Sequence, residues 1–97
     1  MATLNEVIHQ PARLRIMAIL AAISQDRQVT FSYLKAACDF TDGNLGAHLR
    51  RLEEAGYITI VKTFVRQKPQ TYVEITEAGR AAFEEHRAAL QAILESG

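Results

Sequence analysis

Apolar positions recur every three to four residues over most of the chain, while Tyr57–Val65 and Thr71–Ile75 are short runs of β-branched and aromatic residues. The spacing marks helices with one buried face, and the short runs mark strands. Together they predict five helical segments with one β-hairpin inserted before the last. Leu4 to His9 reads as a short helix that ends ahead of Pro11. Pro11 suits the first turn of a second helix, where its missing N–H is not needed. That helix runs to about Ser24, with Ile16, Ile19, Leu20 and Ile23 on one face and Leu14, Met17, Ala18 and Ala21 on the other. A helix apolar on most sides is expected at the centre of a fold.

Gln25 to Gln28 forms a polar connection, after which Val29 supplies one short strand residue beside a later sheet. Thr30 is placed to cap a third helix from Phe31 to Cys38 that buries Phe31, Leu34 and Cys38. Asp39 and Phe40 make a tight turn. Thr41 then caps a fourth helix, Asp42 to Ala55, which Gly56 stops in the position that favours a left-handed residue. Two helices joined so closely, the second amphipathic and well capped, are a helix-turn-helix candidate. Tyr57–Val65 and Thr71–Ile75 are rich in β-branched and aromatic residues, and Arg66 to Gln70 between them reads as a polar loop at the hairpin tip. Thr76 caps the last helix, with Glu77 beside its positive end. The fold class is mainly α with a small β-hairpin wing, a winged helix-turn-helix. The whole of 1–97 reads as one domain, with 1–10 and 80–97 as its dimerisation elements.

The fourth helix carries the sharpest chemistry. At about 100° per residue, Leu45, Leu49 and Leu52 share one face. The opposite side gathers Gly43, Asn44, Ala47, Arg50, Arg51 and Glu54, with His48 on the margin. Small residues, an asparagine and two arginines make a face that can approach a major groove and offer donors to base edges and phosphates. Gly43 and Gly46 each cost a helix about 1 kcal/mol relative to alanine, which close approach to DNA or another backbone would explain. The alternative is a solvated amphipathic helix. The hairpin tilts the balance towards DNA, because Ala55 to Val73 contains no acidic residue while Lys62, Arg66 and Lys68 all lie there. A basic loop of this kind suits a phosphate backbone or a minor groove; an ordinary surface hairpin is its alternative.

Composition enters as a counter-argument. Eleven basic and eleven acidic side chains give a net charge of zero, whereas DNA-binding domains are usually basic. The total hides an uneven distribution: residues 76–97 carry two basic and four acidic groups, and within 41–75 Lys62, Arg66 and Lys68 gather in the hairpin. Neutrality therefore permits DNA as a partner, and implies modest electrostatic affinity per subunit that a dimer would double up.

The stretch from Thr41 to Ile58, with its Asn-Leu-x-x-His-Leu-x-x-Leu-Glu-x-x-Gly-Tyr core, resembles winged-helix transcriptional regulators of the MarR/ArsR-like type. The hairpin's Lys-Pro-x-Thr, the segment Ile75 to Arg80 and the Pro-x-Arg-Leu-x-Ile-Met beginning at Pro11 match as well, so the resemblance covers nearly the whole chain. It is most similar to the short, single-domain members. The resemblance implies a homodimeric, sequence-specific regulator of double-stranded DNA, helix 42–55 in the major groove and wing 62–71 on the backbone or minor groove. The DNA-binding residues would be Thr41, Asp42, Gly43, Asn44, Gly46, Ala47, His48, Arg50, Arg51, Lys62, Arg66 and Lys68. Gln70 stands where many relatives carry a basic residue, which removes one phosphate contact. The paired Cys-x-Cys of some metal-sensing relatives is absent, since Cys38 is the sole cysteine.

The last helix argues independently for self-association. Phe83, Leu90 and Leu94 lie in one stripe, flanked by His86 and Ile93. Its first half is expected to pack on the domain's own second helix, while the distal residues extend beyond what a small monomer covers. An uncovered apolar stripe marks a partner surface. Pairing with Leu4, Val7 and Ile8 and with the same elements of a second chain would bury it. A two-fold dimer would present its recognition helices about 34 Å apart, to a near-palindromic operator.

Other chemistry is set aside. His9, His48 and His86 have no partners at metal-ligand spacing, and Glu84-Glu85-His86 fits a solvated helix face better than a metal site. Cys38 is either a redox sensor or, in the plainer reading, a small buried hydrophobe. No phosphate loop, nucleophile elbow or paired-carboxylate motif occurs, so no enzyme activity and no cofactor are expected. The apolar run Ile16–Ile23 is too short to span a bilayer. Its basic residues come late for a signal peptide, so the chain reads as cytoplasmic. A winged helix that docks a protein instead of DNA remains the competing function. The operator, the sign of regulation and any small-molecule effector are not legible.

Overall fold

The computed structural model describes residues 4–23 and 28–96. Its elements are α1 (Pro11–Ala22), β1 (Val29–Thr30), α2 (Phe31–Cys38), α3 (Asp42–Glu54), β2 (Ile58–Val65), β3 (Lys68–Ile75) and α4 (Glu77–Ser96). The three strands form one antiparallel sheet in the order β1-β3-β2. The architecture is the mainly helical winged helix-turn-helix with a hairpin. There are four helices among the described residues, where the sequence pattern predicts five.

The difference lies at Leu4–His9, which forms a turn instead of a helix. Pro11 explains it. The Asn5 Oδ1 accepts from the N–H groups of both Val7 and Ile8 at 3.0 and 3.1 Å, as an N-cap does. But Gln10 before the proline is extended, at φ −82° and ψ 130°, so a single turn forms. One helical bond, His9 N–H to the Asn5 carbonyl at 2.7 Å, closes the turn and Pro11 follows.

α1 is capped by Gln10, whose side chain accepts from the Arg13 N–H at 3.0 Å. It buries Ile16, Met17 and Leu20 and packs against α2, α3, α4 and β3, the central position expected of it. Its burial is one-sided, however, since Ala18 and Ala22 face solvent. Of the polar connection expected at 25–28, residues 25–27 lie outside the described residues, as does Ser24. At the other end of the chain's core, α4 returns a side chain to α1. Arg80 donates to the carbonyls of Ala21 and Ile23 at 3.1 and 2.9 Å, satisfying groups that the end of α1 leaves unpaired.

Thr30 and Thr41 cap α2 and α3, accepting from the N–H groups of Tyr33 and Asn44 at 3.0 and 3.1 Å. α3 ends in a Schellman motif: Tyr57 N–H reaches the Leu52 carbonyl at 3.0 Å and Gly56 N–H that of Glu53 at 2.9 Å, with Gly56 at φ 83°. Leu45, Leu49 and Leu52 of α3 join Ile8, Ile16, Met17, Leu34, Ile58 and Val73 in one core.

The hairpin is longer and tighter than the sequence suggests. Lys68, Pro69 and Gln70 are strand residues paired with Val65, Phe64 and Thr63, and only Arg66 and Gln67 form the loop. Both have positive φ, 52° and 66°, as a two-residue turn matching the strand twist requires. Such a turn is closed by a hydrogen-bonded pair, here Val65↔Lys68, so Phe64↔Pro69 is the following non-hydrogen-bonded pair. Proline's missing N–H faces away from β2 there, beyond the reach of the two-residue β1. Gly79, in the first turn of α4, lies so close beneath the Tyr57 carbonyl that a Cβ would collide with it. Thr76 accepts from the Gly79 N–H at 2.9 Å and donates to the Gly56 carbonyl at 2.6 Å, locking the end of α3 to the start of α4.

Candidate nucleic-acid interface

Leucine spacing turns the rest of α3 outwards. With Leu45, Leu49 and Leu52 buried, the residues Thr41, Asp42, Gly43, Asn44, Ala47, Arg50 and Arg51 are exposed, while Gly46 and His48 are half-buried. No atom lies within 4 Å of where a Cβ would stand on Gly43, and on Gly46 only an Arg50 nitrogen, at 3.5 Å. Packing inside the protein therefore does not require either glycine. Asp42, in the first turn of α3, is held by Lys35 at 2.8 Å, a cation that the sequence pattern does not single out, while Glu53 and Glu54 are exposed at its other end.

Lys62, Arg66 and Lys68 are all exposed on the hairpin. Lys62 and Thr71 face Gly46, Arg50 and Glu53 across an open groove between hairpin and helix, with Phe31 on its wall. Helix and wing thus place Arg50 and Lys62 around one concavity, while Arg66 and Lys68 stand farther out at the tip. The hairpin also exposes Phe64 at 72% and Val65 at 44%, an apolar flank that charge counting does not reveal.

His48 is less available than its helical position suggests. Its Nδ1 lies 3.3 Å from an Arg13 Nη, and its ring stands 5.8 Å from that of Phe40. Burial, and then the Arg13 charge, pull the imidazole below the usual histidine range, so it is neutral at pH 7. Arg13 is lowered from its own ordinary value by burial and by the nearby Arg51. Its Nε donates to the Val7 carbonyl.

The residues expected at a dimer contact divide into two groups. Ile8 is fully buried in the protomer's own core and His86 is 1% exposed, so both are occupied internally. His86 Nδ1 accepts from the Asn5 N–H at 3.1 Å and Nε2 lies 3.4 Å from His9 Nδ1. Asn5 also donates from its side chain to the Tyr57 hydroxyl at 2.8 Å. A buried, bonded histidine on an otherwise surface-like helix has no signature in the sequence. Leu4, Val7, Phe83 and Leu90 are half-buried, whereas Ile93 and Leu94 are exposed at 42% and 73%. Cys38 is buried, in accord with the plainer of its two readings. No group of three or more potential metal ligands occurs among the described residues. No helix among them is long and apolar enough to cross a membrane.

The model of the winged helix DNA-binding domain family matches residues 12–94. An uncharacterised protein of Methanocaldococcus jannaschii is 33% identical over 81 residues, which cover 84% of this chain and 85% of that one. Among solved structures, the transcriptional regulator homologue from Pyrococcus horikoshii OT3 is 32% identical, with a TM-score of 0.85 over 95% of this chain and 88% of the other. MepR of S. aureus, solved as a complex with DNA, shares the fold at 17% identity, with a TM-score of 0.75 over 94% of this chain and 75% of its own. The family is described as a DNA-binding domain, and the P. horikoshii relative as a transcriptional regulator homologue. The chain belongs to the winged helix DNA-binding domain family.

Proposed function

We propose that the protein acts as a homodimer on a near-palindromic double-stranded operator, α3 entering the major groove and the wing, residues 62–71, lying on the backbone or minor groove. The observation that carries this reading is the outer face of α3. It is polar, carrying Asn44, Arg50 and Arg51 beside the exposed Glu53 and Glu54, with two glycines that no internal packing requires. Asn44, Arg50 and Arg51 offer donors to base edges and phosphates, and Lys62, Arg66 and Lys68 add phosphate contacts. The MepR–DNA complex supports the use of this fold on DNA. Residues 1–10 and 80–97 serve as the dimerisation elements, with Ile93 and Leu94 at the exposed end of α4 as the apolar contact. The cytoplasm is the compartment proposed, where Cys38 stays a thiol.

Salt dependence is the test. Duplexes selected from a genomic fragment pool should bind about 10³-fold more weakly at 200 mM than at 50 mM salt, as six or more phosphate contacts per dimer imply. Arg51→Ala and Arg66→Ala should each weaken binding while leaving the melting temperature unchanged, because both side chains are exposed. Binding indifferent to salt would favour the second reading, a protein-assembly module, for which the exposed Phe64 and Val65 on the wing are the supporting observation.

A further inference from the structure

We propose that Arg13 of α1 joins His48 and Arg51 of α3 in a binding site for one phosphate of the duplex backbone, with Arg13 also fixing the tautomer of His48. The inference rests on the DNA-binding reading above. It adds a contact from a helix that belongs to neither the recognition element nor the wing.

Three basic side chains from two helices converge here. Arg13 lies against His48, and Arg51 stands one helical turn beyond His48 and close to Arg13. Among the described residues, the ion pairs Lys35–Asp42 and Arg87–Glu84 lie elsewhere, and no carboxylate is hydrogen-bonded to any of the three. Two arginines held together without an acid repel each other, and an external anion relieves that repulsion. Asn44, His48 and Arg51 fall at i, i+4 and i+7, on one stripe bordering the outer face of α3. A phosphate held at this border would seat the helix in register beside the bases that its neighbours read.

Donor arithmetic gives each group its part. Arg13 has five N–H donors and no acceptor. Its Nε is committed to the Val7 carbonyl and one Nη to His48, which leaves the other Nη free. Because Arg13 can only donate, His48 Nδ1 must carry the lone pair and its proton must sit on Nε2. The neutral imidazole is then already a phosphate donor and needs no protonation. Among the described residues, the groups against it agree: Arg13 from α1 is cationic and the Phe40 ring is uncharged. The same arginine ties the N-terminal turn, through Val7, to the recognition helix.

The experiment measures duplex affinity against KCl concentration for the full chain and for Arg13→Gln, Arg13→Lys, His48→Gln and His48→Leu. Arg13→Gln should reduce the log–log salt slope by about one per protomer and weaken specific and non-specific duplexes by the same factor. His48→Leu should lower affinity without changing the slope, and His48→Gln, which retains an N–H donor, should restore most of it. Arg13→Lys keeps the charge, so it should hold the slope while losing affinity, and it serves where Arg13→Gln melts early. A wild-type slope and affinity in both Arg13 variants would overturn the site. Affinity should stay level from pH 8 to 6.5; a rise towards acid that His48→Gln abolishes would show binding by the imidazolium and overturn the tautomer assignment. If the wild-type chain shows no salt-dependent duplex binding, the DNA reading falls and this site with it, whereas strong wild-type binding beside unchanged variants removes this site alone.

Discussion

α3 and α4 both begin at a threonine, and both carry an apolar stripe at helical spacing, yet they use the stripe differently. In α3, Leu45, Leu49 and Leu52 are no more than 2% exposed, and the rest of the helix is polar or small. In α4, the residues buried outright are Gly79 and His86, and the apolar stripe emerges into solvent at Ile93 and Leu94. α3 is finished on its inner side, so what remains outside is a face for a polar ligand. The distal half of α4 is unfinished, so what remains is a face for an apolar one. The same periodicity thus leaves two different outer faces, and only burial separates them.

The comparison breaks most decisively through the leucines. Leu49→Ala should cost about 2–5 kcal/mol, as large-to-small changes in a packed core do. For a domain of this size that is a large part of the total stability. Leu94→Ala should alter the intrinsic stability of the protomer by less than about 0.5 kcal/mol, because the side chain is 73% exposed. Its effect should appear instead as weaker self-association in sedimentation, and as a melting temperature that depends less on protein concentration. A large, concentration-independent loss in Leu94→Ala would place that residue in a protomer core and erase the contrast.

These differences also mark where the sequence was legible. Local chemistry carried the helix ends: the threonine caps, the left-handed Gly56 and the leucine stripe of α3 are all written within a few residues of where they act. The single N-terminal turn ends locally, at the extended Gln10 before Pro11. The contacts that no local pattern announces join partners distant in the chain: the Asn5 N–H donates to His86, 81 positions on. Arg80 closes the end of α1, 57 and 59 positions back. At the hairpin, a polar run with a proline read as a five-residue loop. Proline was tolerated in the strand because register put its nitrogen on the non-bonding side. Of the candidate interface, exposure of the α3 face followed from periodicity alone. The inward engagement of His48 did not, because Arg13 lies on another helix.

His86 sharpens the contrast through pH. Burial, and then the neighbouring His9, lower its pKa, so the folded state resists protonating it. An unfolded histidine titrates near about 6.5. Above that pH both states are neutral and the full contribution is present. As pH falls through 6.5 towards the lower folded value, the unfolded chain takes up the proton first and stability declines. His48 is shifted in the same direction and adds to the slope. Thermal melts between pH 7.5 and 5 should fall in wild type and fall less in His86→Gln, which should itself start lower because it disturbs the contacts with Asn5 and His9. Equal slopes in the two proteins would mean that the N-terminal turn does not hold this histidine neutral.

The smallest change concerns the glycines of α3, and it separates stability from function. Gly46→Ala lies in the helix interior, where alanine is favoured by about 1 kcal/mol, and its new methyl would meet Arg50 at an ordinary 3.5 Å. Gly43→Ala has open space around it but sits in the first turn, so its gain is smaller. Both variants should therefore melt at or above the wild-type temperature, Gly46→Ala by several degrees. If α3 approaches a groove as closely as its small residues allow, the same two variants should bind duplex DNA more weakly, because each methyl stands between backbone and base edges. Higher stability with lower affinity is the signature of a surface shaped for a ligand. Higher stability with unchanged affinity would mean that the two glycines lie outside the contact, and would move the recognised edge of α3 towards Asn44, His48 and Arg51.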